Sequence, residues 1–113
     1  DVDDYTGTTP SVIKILGETH DVDSWADALT VGVATILRDV DDPQRVTEID
    51  GRTRNYFVEE GRQSDLFNPR RIPDTNLYLE TNFSANDCVR TIERVMAMYG
   101  FDRAELEIFT EEA

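Results

Sequence analysis

Apolar residues along the chain follow two different periods, and the points where the period changes outline the elements. Ser11 to Leu16 places Ile13 and Ile15 on one face of a short strand. Gly17-Glu18 turns it, and Thr19 to Val22 returns as a hairpin partner. The period then lengthens. Trp25, Leu29, Val33, Ile36, Leu37 and Val40 recur at helical spacing and predict one amphipathic helix. Ser24 is its expected cap, and Asp27 suits the positive end of the helix. Gly32 falls mid-helix, where it costs about 1 kcal/mol relative to alanine; close packing of another element accounts for it. Asp41-Asp42-Pro43 stops the helix, and Pro43 suits the first turn of a short second helix, capped by Asp42 and running to about Glu48.

The second half repeats the alternation. Tyr56 and Phe57 begin a half-buried strand. A polar segment, Glu59 to Ser64, leads to a brief turn near Ser64-Asp65-Leu66-Phe67. Asn68-Pro69-Arg70-Arg71-Ile72-Pro73 must be extended, because prolines restrict themselves and the residues before them. Asp74-Thr75-Asn76 is a turn, and Leu77 to Thr81 is a strand with Leu77 and Leu79 facing in, expected to pair with the strand at Tyr56 and Phe57. Ser84, with Asp87 three residues on, opens a helix that runs to about Tyr99 on a stripe of Val89, Ile92, Met96 and Tyr99, broadened by Cys88 and Val95. Gly100 is placed to end it, with Phe101 folding back. Asp102 to Glu105 fits one further turn; Leu106 to Phe109 fits either a final strand or a helix continuation, which periodicity does not separate. The expected fold class is α+β: two main helices plus short helices packed on a small antiparallel sheet. Residues 1–10 read as a flexible tail or linker and residues 11–113 as a single domain. A chain that begins at Asp1 is expected to be a piece of something longer.

Composition narrows the function classes. The formal charge is -13, from 24 acids against 11 bases, and Lys14 is the one lysine among them. An acidic, nearly lysine-free surface is expected of a haloarchaeal protein working in very salty cytoplasm, where screening removes the self-repulsion; the plainer reading is an ordinary acidic domain, or one with a basic partner. No apolar run approaches the ~20 residues of a membrane span. One cysteine excludes an intrachain disulfide, and one histidine with one cysteine leaves little material for a zinc site. His20, on a short hairpin strand, reads as a surface residue. Without a glycine-rich phosphate loop, a metal-spaced His/Cys set or a Ser/His/Asp order, no enzyme, cofactor or metal is expected.

Binding chemistry is better supplied. Residues 51–71 hold Arg52, Arg54, Arg62, Arg70 and Arg71 against Glu59, Glu60 and Asp65, a local excess of positive charge in an acidic chain. Asp50-Gly51 predicts a tight turn with positive φ. In an extended segment Arg52 and Arg54 share a face about 7 Å apart, near the spacing of neighbouring phosphates. Thr53 adds a donor. Asn82, Ser84 and Asn86 sit on a turn leading into a helix, where asparagine reads adenine and the helix start favours phosphate. The plainer roles are surface ion pairs for Arg52 and Arg54, solvated loop charges for Arg70 and Arg71, a turn-stabilising side chain for Asn82 and a cap for Ser84.

Gly51-Arg52-Thr53-Arg54, then Tyr56-Phe57, resembles a block in the C-terminal domain of SeqA, the negative regulator of bacterial replication initiation. The likeness continues through Pro69-Arg70-Arg71-Ile72-Pro73 and Thr75, through Leu77-Tyr78-Leu79-Glu80-Thr81-Asn82, and through Ile92-Glu93 and Met96, over roughly residues 26–101. That domain is an α+β fold that binds hemimethylated GATC duplexes through the major groove. The resemblance implies DNA contacts from Arg52, Thr53 and Arg54, backbone contacts from Arg70 and Arg71, and a base contact from Asn82. The chain also departs from the pattern. The family's second recognition asparagine falls at Ser84, Phe83 and Ala85 replace its threonines, Asp74 replaces a turn glycine, and Asn86 and Asp87 replace basic residues. Hemimethylated GATC specificity is therefore not carried over. The expectation is a cytoplasmic DNA-binding module with duplex DNA as partner. The alternative is a protein-interaction or targeting domain on the same scaffold within a larger protein, with a protein partner or a second copy.

Overall fold

The computed structural model describes residues 4–51 and 53–112. Two three-stranded antiparallel sheets and two long helices enclose one core. The first sheet has the order β2-β1-β6, built from β1 (Thr8–Ile15), β2 (Glu18–Asp21) and β6 (Leu106–Glu112). Ile15 pairs with Glu18 across a two-residue loop in which Leu16 and Gly17 both have positive φ, 51° and 83°. That is the backbone twist a tight hairpin needs. On its other side β1 pairs with β6, Ile13 opposite Ile108 and Ile15 opposite Leu106. Arg103–Glu105 forms the expected single turn, and the segment from Leu106 is a strand, because the hairpin leaves an edge open beside Ile13 and Ile15.

Residues 4–10, expected in a tail or linker, are part of the folded unit. Thr8 to Pro10 already belong to β1, and the chain is anchored from Asp4 onward. The Tyr5 ring meets Trp25 edge-on at 5.2 Å, and the Trp25 indole N–H donates to the Thr8 carbonyl at 2.9 Å.

Helix α1 (Trp25–Arg38) starts where Ser24 accepts the Asp27 N–H at 3.0 Å. It is the central helix, buried on most of its circumference from Ala28 to Leu37. A Cβ on Gly32 would lie 3.2 Å from Ile92 and 3.3 Å from Ile13, so the missing side chain lets α1 approach both its helix partner and β1. Helix α2 (Ala85–Met98) buries one stripe only, including Cys88, Ile92, Val95 and Met96. It ends as expected: Gly100 takes φ 80°, and the Phe101 N–H reaches back to the Met96 carbonyl at 2.9 Å. The expected short helix after α1 is a 3₁₀ helix, Pro43–Glu48, and Asp42 gives it no side-chain cap. Instead, the Asp42 carbonyl accepts the Tyr99 hydroxyl at 2.7 Å.

The second sheet has the order β3-β5-β4, from β3 (Phe57–Glu59), β4 (Pro69–Arg71) and β5 (Leu77–Glu80). The expected pairing of the Phe57 and Leu79 strands is present. The expected single small sheet is two sheets, because the proline-restrained segment at Pro69 also pairs with β5. The β4–β5 turn carries Asp74 at φ 65°, a left-handed conformation that aspartate tolerates better than most residues.

Candidate nucleic-acid interface

Antiparallel order brings three chain segments to one end of the second sheet: the start of β3, the end of β5 and the start of β4. Tyr56 accepts the Glu80 N–H at 2.8 Å, and the Asn68 carbonyl accepts the Thr81 N–H at 3.1 Å and its hydroxyl at 2.8 Å. Beneath them lies Glu80, 0 % exposed. Its Oε1 accepts the Phe67 N–H at 2.7 Å; its Oε2 accepts the N–H groups of Asn68 at 3.1 Å and Asn82 at 2.8 Å. A buried carboxylate is tolerated only when hydrogen-bonded, and charged acceptors make the stronger bonds. Glu80 therefore ties the 67–68 loop to the 82 turn. Strand alternation alone assigns it to the outer face, so the sequence reading missed it; the loops that fold over it decide its burial.

Arg54 lies across this end of the sheet. Its guanidinium carbon is 5.1 Å from the Phe83 ring centroid, 5.6 Å from Phe67 and 5.9 Å from Tyr56. Its Nη2 donates to the Asn82 carbonyl at 3.2 Å. Tyr56 and Phe83 meet edge-on at 4.7 Å. From α2, Arg94 covers the Tyr56 ring at 5.8 Å and donates to the Asp50 carbonyl at 3.3 and 3.4 Å. Cations over aromatic faces gain about 0.5–1 kcal/mol each at exposed sites. The outermost member is Phe67, 75 % exposed.

Gly51 serves this cluster differently from the expected turn. Its φ is not positive; a Cβ there would lie 2.8 Å from Tyr56 Cε1, so the glycine makes room for the ring. Gly51 N–H donates to the Arg54 carbonyl at 2.9 Å, and Asp50 bridges Asn55, which closes a tight loop. Thr53 and Arg54 accordingly sit in a bend and not in the extended segment expected of them; Thr53 is exposed. Arg52 lies outside the described residues.

The arginines divide by the group that holds them. Arg38, Arg62, Arg90 and Arg103 make carboxylate pairs of 2.6–2.7 Å with Glu18, Asp65, Asp87 and Glu93. Arg45, Arg54, Arg71 and Arg94 donate to the carbonyls of Met98, Asn82, Thr75 and Asp50. Among the described residues, none of these four has a carboxylate within 4.0 Å. The surface ion pair considered for Arg54 is therefore not formed.

Of the residues singled out from sequence, Arg54 and Asn82 come together. Asn82 has its N–H held by Glu80 and its carbonyl by Arg54, and its exposed carboxamide makes no hydrogen bond among the described residues. Arg70 and Arg71 lead away from this point along β4 and alternate between its faces. Arg70 is 3.9 Å from Asp27, and Arg71 bonds the Thr75 carbonyl at 3.0 Å. Ser84 caps α2, accepting the Asp87 N–H at 3.2 Å. Asn86 is engaged within the chain: its oxygen accepts the Tyr5 N–H at 2.8 Å, and its amide donates to Asp4 at 3.1 Å and Thr6 at 3.3 Å. The Asn86 amide, with smaller help from the Thr6 N–H and hydroxyl, holds the Asp4 carboxyl at about 2, below its ordinary 3.8. Asn86 thus fastens the N-terminal segment.

Two open clefts lie elsewhere, one of about 320 Å³ beside Asp41, Arg45 and Tyr99, the other of about 240 Å³ beside Asn55, Val58 and Arg62. Among the described residues, no three His, Cys, Asp or Glu side chains converge on a metal position, and no helix is long and apolar enough to cross a membrane. No family model, curated protein or solved structure matches the chain.

Proposed function

We propose that this domain binds duplex DNA, with the Arg54–Asn82 end of the second sheet as its contact edge. The observation that carries the reading is Asn82: its backbone is held on both sides, and its carboxamide is left open beside a guanidinium. An exposed carboxamide on a held backbone suits two hydrogen bonds to an adenine edge. Arg54 and Arg94, without carboxylate partners among the described residues, suit phosphate contact. The resemblance to the C-terminal domain of SeqA supports the same edge. Ser84, engaged as a helix cap where that family has its second asparagine, argues for a different target sequence.

The acidic remainder of the chain suppresses non-specific binding, and the composition supports a high-salt working environment. Phosphate affinity falls with salt at a slope of about -0.9 per contact, so hydrogen bonds and shape must carry binding there. The test is a duplex titration by fluorescence anisotropy across potassium chloride concentrations. Sequence-preferring binding with a shallow slope, lost in Arg54→Ala and in Asn82→Ala with both variants folded, is expected. Absence of binding to any duplex at every salt concentration refutes the proposal. A second reading, a protein-interaction module, draws on the exposed Phe67 beside an arginine, since aromatic and arginine side chains dominate protein interfaces. Such a module would ignore duplex at every salt concentration.

A further inference from the structure

Phosphate and base-edge contacts leave Phe67 without a role. Its ring is the most exposed large apolar side chain described, at 75 %. Yet its position is closely determined. Its own N–H and that of Asn68 both end on the buried Glu80 carboxylate, and the Arg54 guanidinium lies over the ring at 5.6 Å. An ordinary exposed side chain on a loop has no such support.

We propose that Phe67 is a stacking platform for one unpaired nucleobase, so that the preferred ligand is DNA carrying an unopposed or extruded base. The proposal rests on the DNA reading above and makes it more specific. Paired bases inside a duplex hide their faces in the stack; an unopposed base leaves it at the least cost. A phenyl ring with its outer side open accepts a base of any identity, because every base has a π face. Arg54 behind the ring supplies the cation, and the open carboxamide of Asn82, joined to Arg54 through its own carbonyl, stands ready to bond the edge of the displaced base. The surroundings fit this ligand better than an anionic or purely apolar one. Among the described residues Arg54 and Arg94 make no carboxylate pair within 4.0 Å, while the cluster itself is aromatic.

The experiment compares two labelled duplexes of the same sequence, one fully paired and one with a single bulged adenine. Both are titrated by anisotropy with the wild-type chain, Phe67→Ala and Phe67→Tyr. The wild-type chain should bind the bulged probe about tenfold more tightly, the scale of one base–aromatic stack. Phe67→Ala should bring the bulged probe down to the paired value and leave the paired probe unchanged, and Phe67→Tyr should keep the preference. Equal binding of both probes by the wild-type chain overturns the platform and leaves DNA binding standing. So does a preference that survives Phe67→Ala, or an equal loss on both probes. No binding to either probe overturns the platform and the DNA reading together.

Discussion

Glu80→Gln is the sharpest perturbation available. The carboxylate is fully buried and accepts three backbone N–H groups at 2.7, 3.1 and 2.8 Å. Bonds to a charged group contribute about 1.5–3 kcal/mol each, roughly twice a neutral one. Glutamine keeps the size but offers one acceptor atom. If its oxygen replaces Oε2, the Asn68 and Asn82 bonds survive without charge, a loss of about 1 kcal/mol each. Its NH₂ then faces the Phe67 N–H, donor against donor, at a further cost of about 1–3 kcal/mol. The sum is about 3–5 kcal/mol, a large share of the ~5–15 kcal/mol that holds a domain together. Urea unfolding followed by the fluorescence of Trp25, the single tryptophan, is the assay. With a slope of about 1.5–2 kcal/mol/M, the midpoint should fall by about 2 M. Amide exchange at Phe67, Asn68 and Asn82 should quicken more than exchange in α1. A loss below about 1 kcal/mol, or unchanged exchange at those three amides, would refute the clamp.

Three further outcomes follow from the packing and the ionisable groups. Gly51→Ala places a methyl 2.8 Å from Tyr56 Cε1, and overpacking of this kind costs about 1–3 kcal/mol; thermal unfolding should register it, with the Tyr56 and Phe83 ring resonances shifted. Burial pushes the Cys88 thiol up to about 12 from 9.0, so a thiol reagent at mildly alkaline pH should label it only after unfolding. Because the unfolded thiol ionises first, this group's share of stability is complete below pH 9.0 and is lost as pH rises towards about 12. Asn86→Ala should return the Asp4 carboxyl from about 2 towards 3.8 in an NMR titration. In the wild-type chain that attachment holds above about 3.8 and is lost as pH falls through about 2.

Local chemistry made much of the fold legible. Ser24 and Ser84 cap the helices they precede, Gly100 ends α2, and Ile13 and Ile15 mark the buried face of β1. Each is decided within a few residues of itself. What was not legible depended on partners far along the chain. Leu106 to Phe109 is a strand because β1, about ninety residues earlier, offers an edge. Tyr5 is anchored because Asn86 reaches it. The candidate site divides in the same way. The nearness of Arg54 and Asn82 follows from the expected pairing of the Phe57 and Leu79 strands, while the burial of Glu80 was not expected, since alternation assigns a polar residue to solvent. Gly51 was noticed for the wrong reason: a turn signal stood in for a steric one.

The two ways of holding arginine have a consequence for what an approaching anion meets. A guanidinium set against a carboxylate looks nearly neutral from a few ångströms away. One moored by a ring face and a peptide oxygen is stationary yet still looks like a full cation. In a molecule with 24 acids and 11 bases, nearly every positive charge could have been cancelled. Arg54 and Arg94, held by ring faces and peptide oxygens and paired with no carboxylate among the described residues, can therefore meet an anion without an ion pair first being broken.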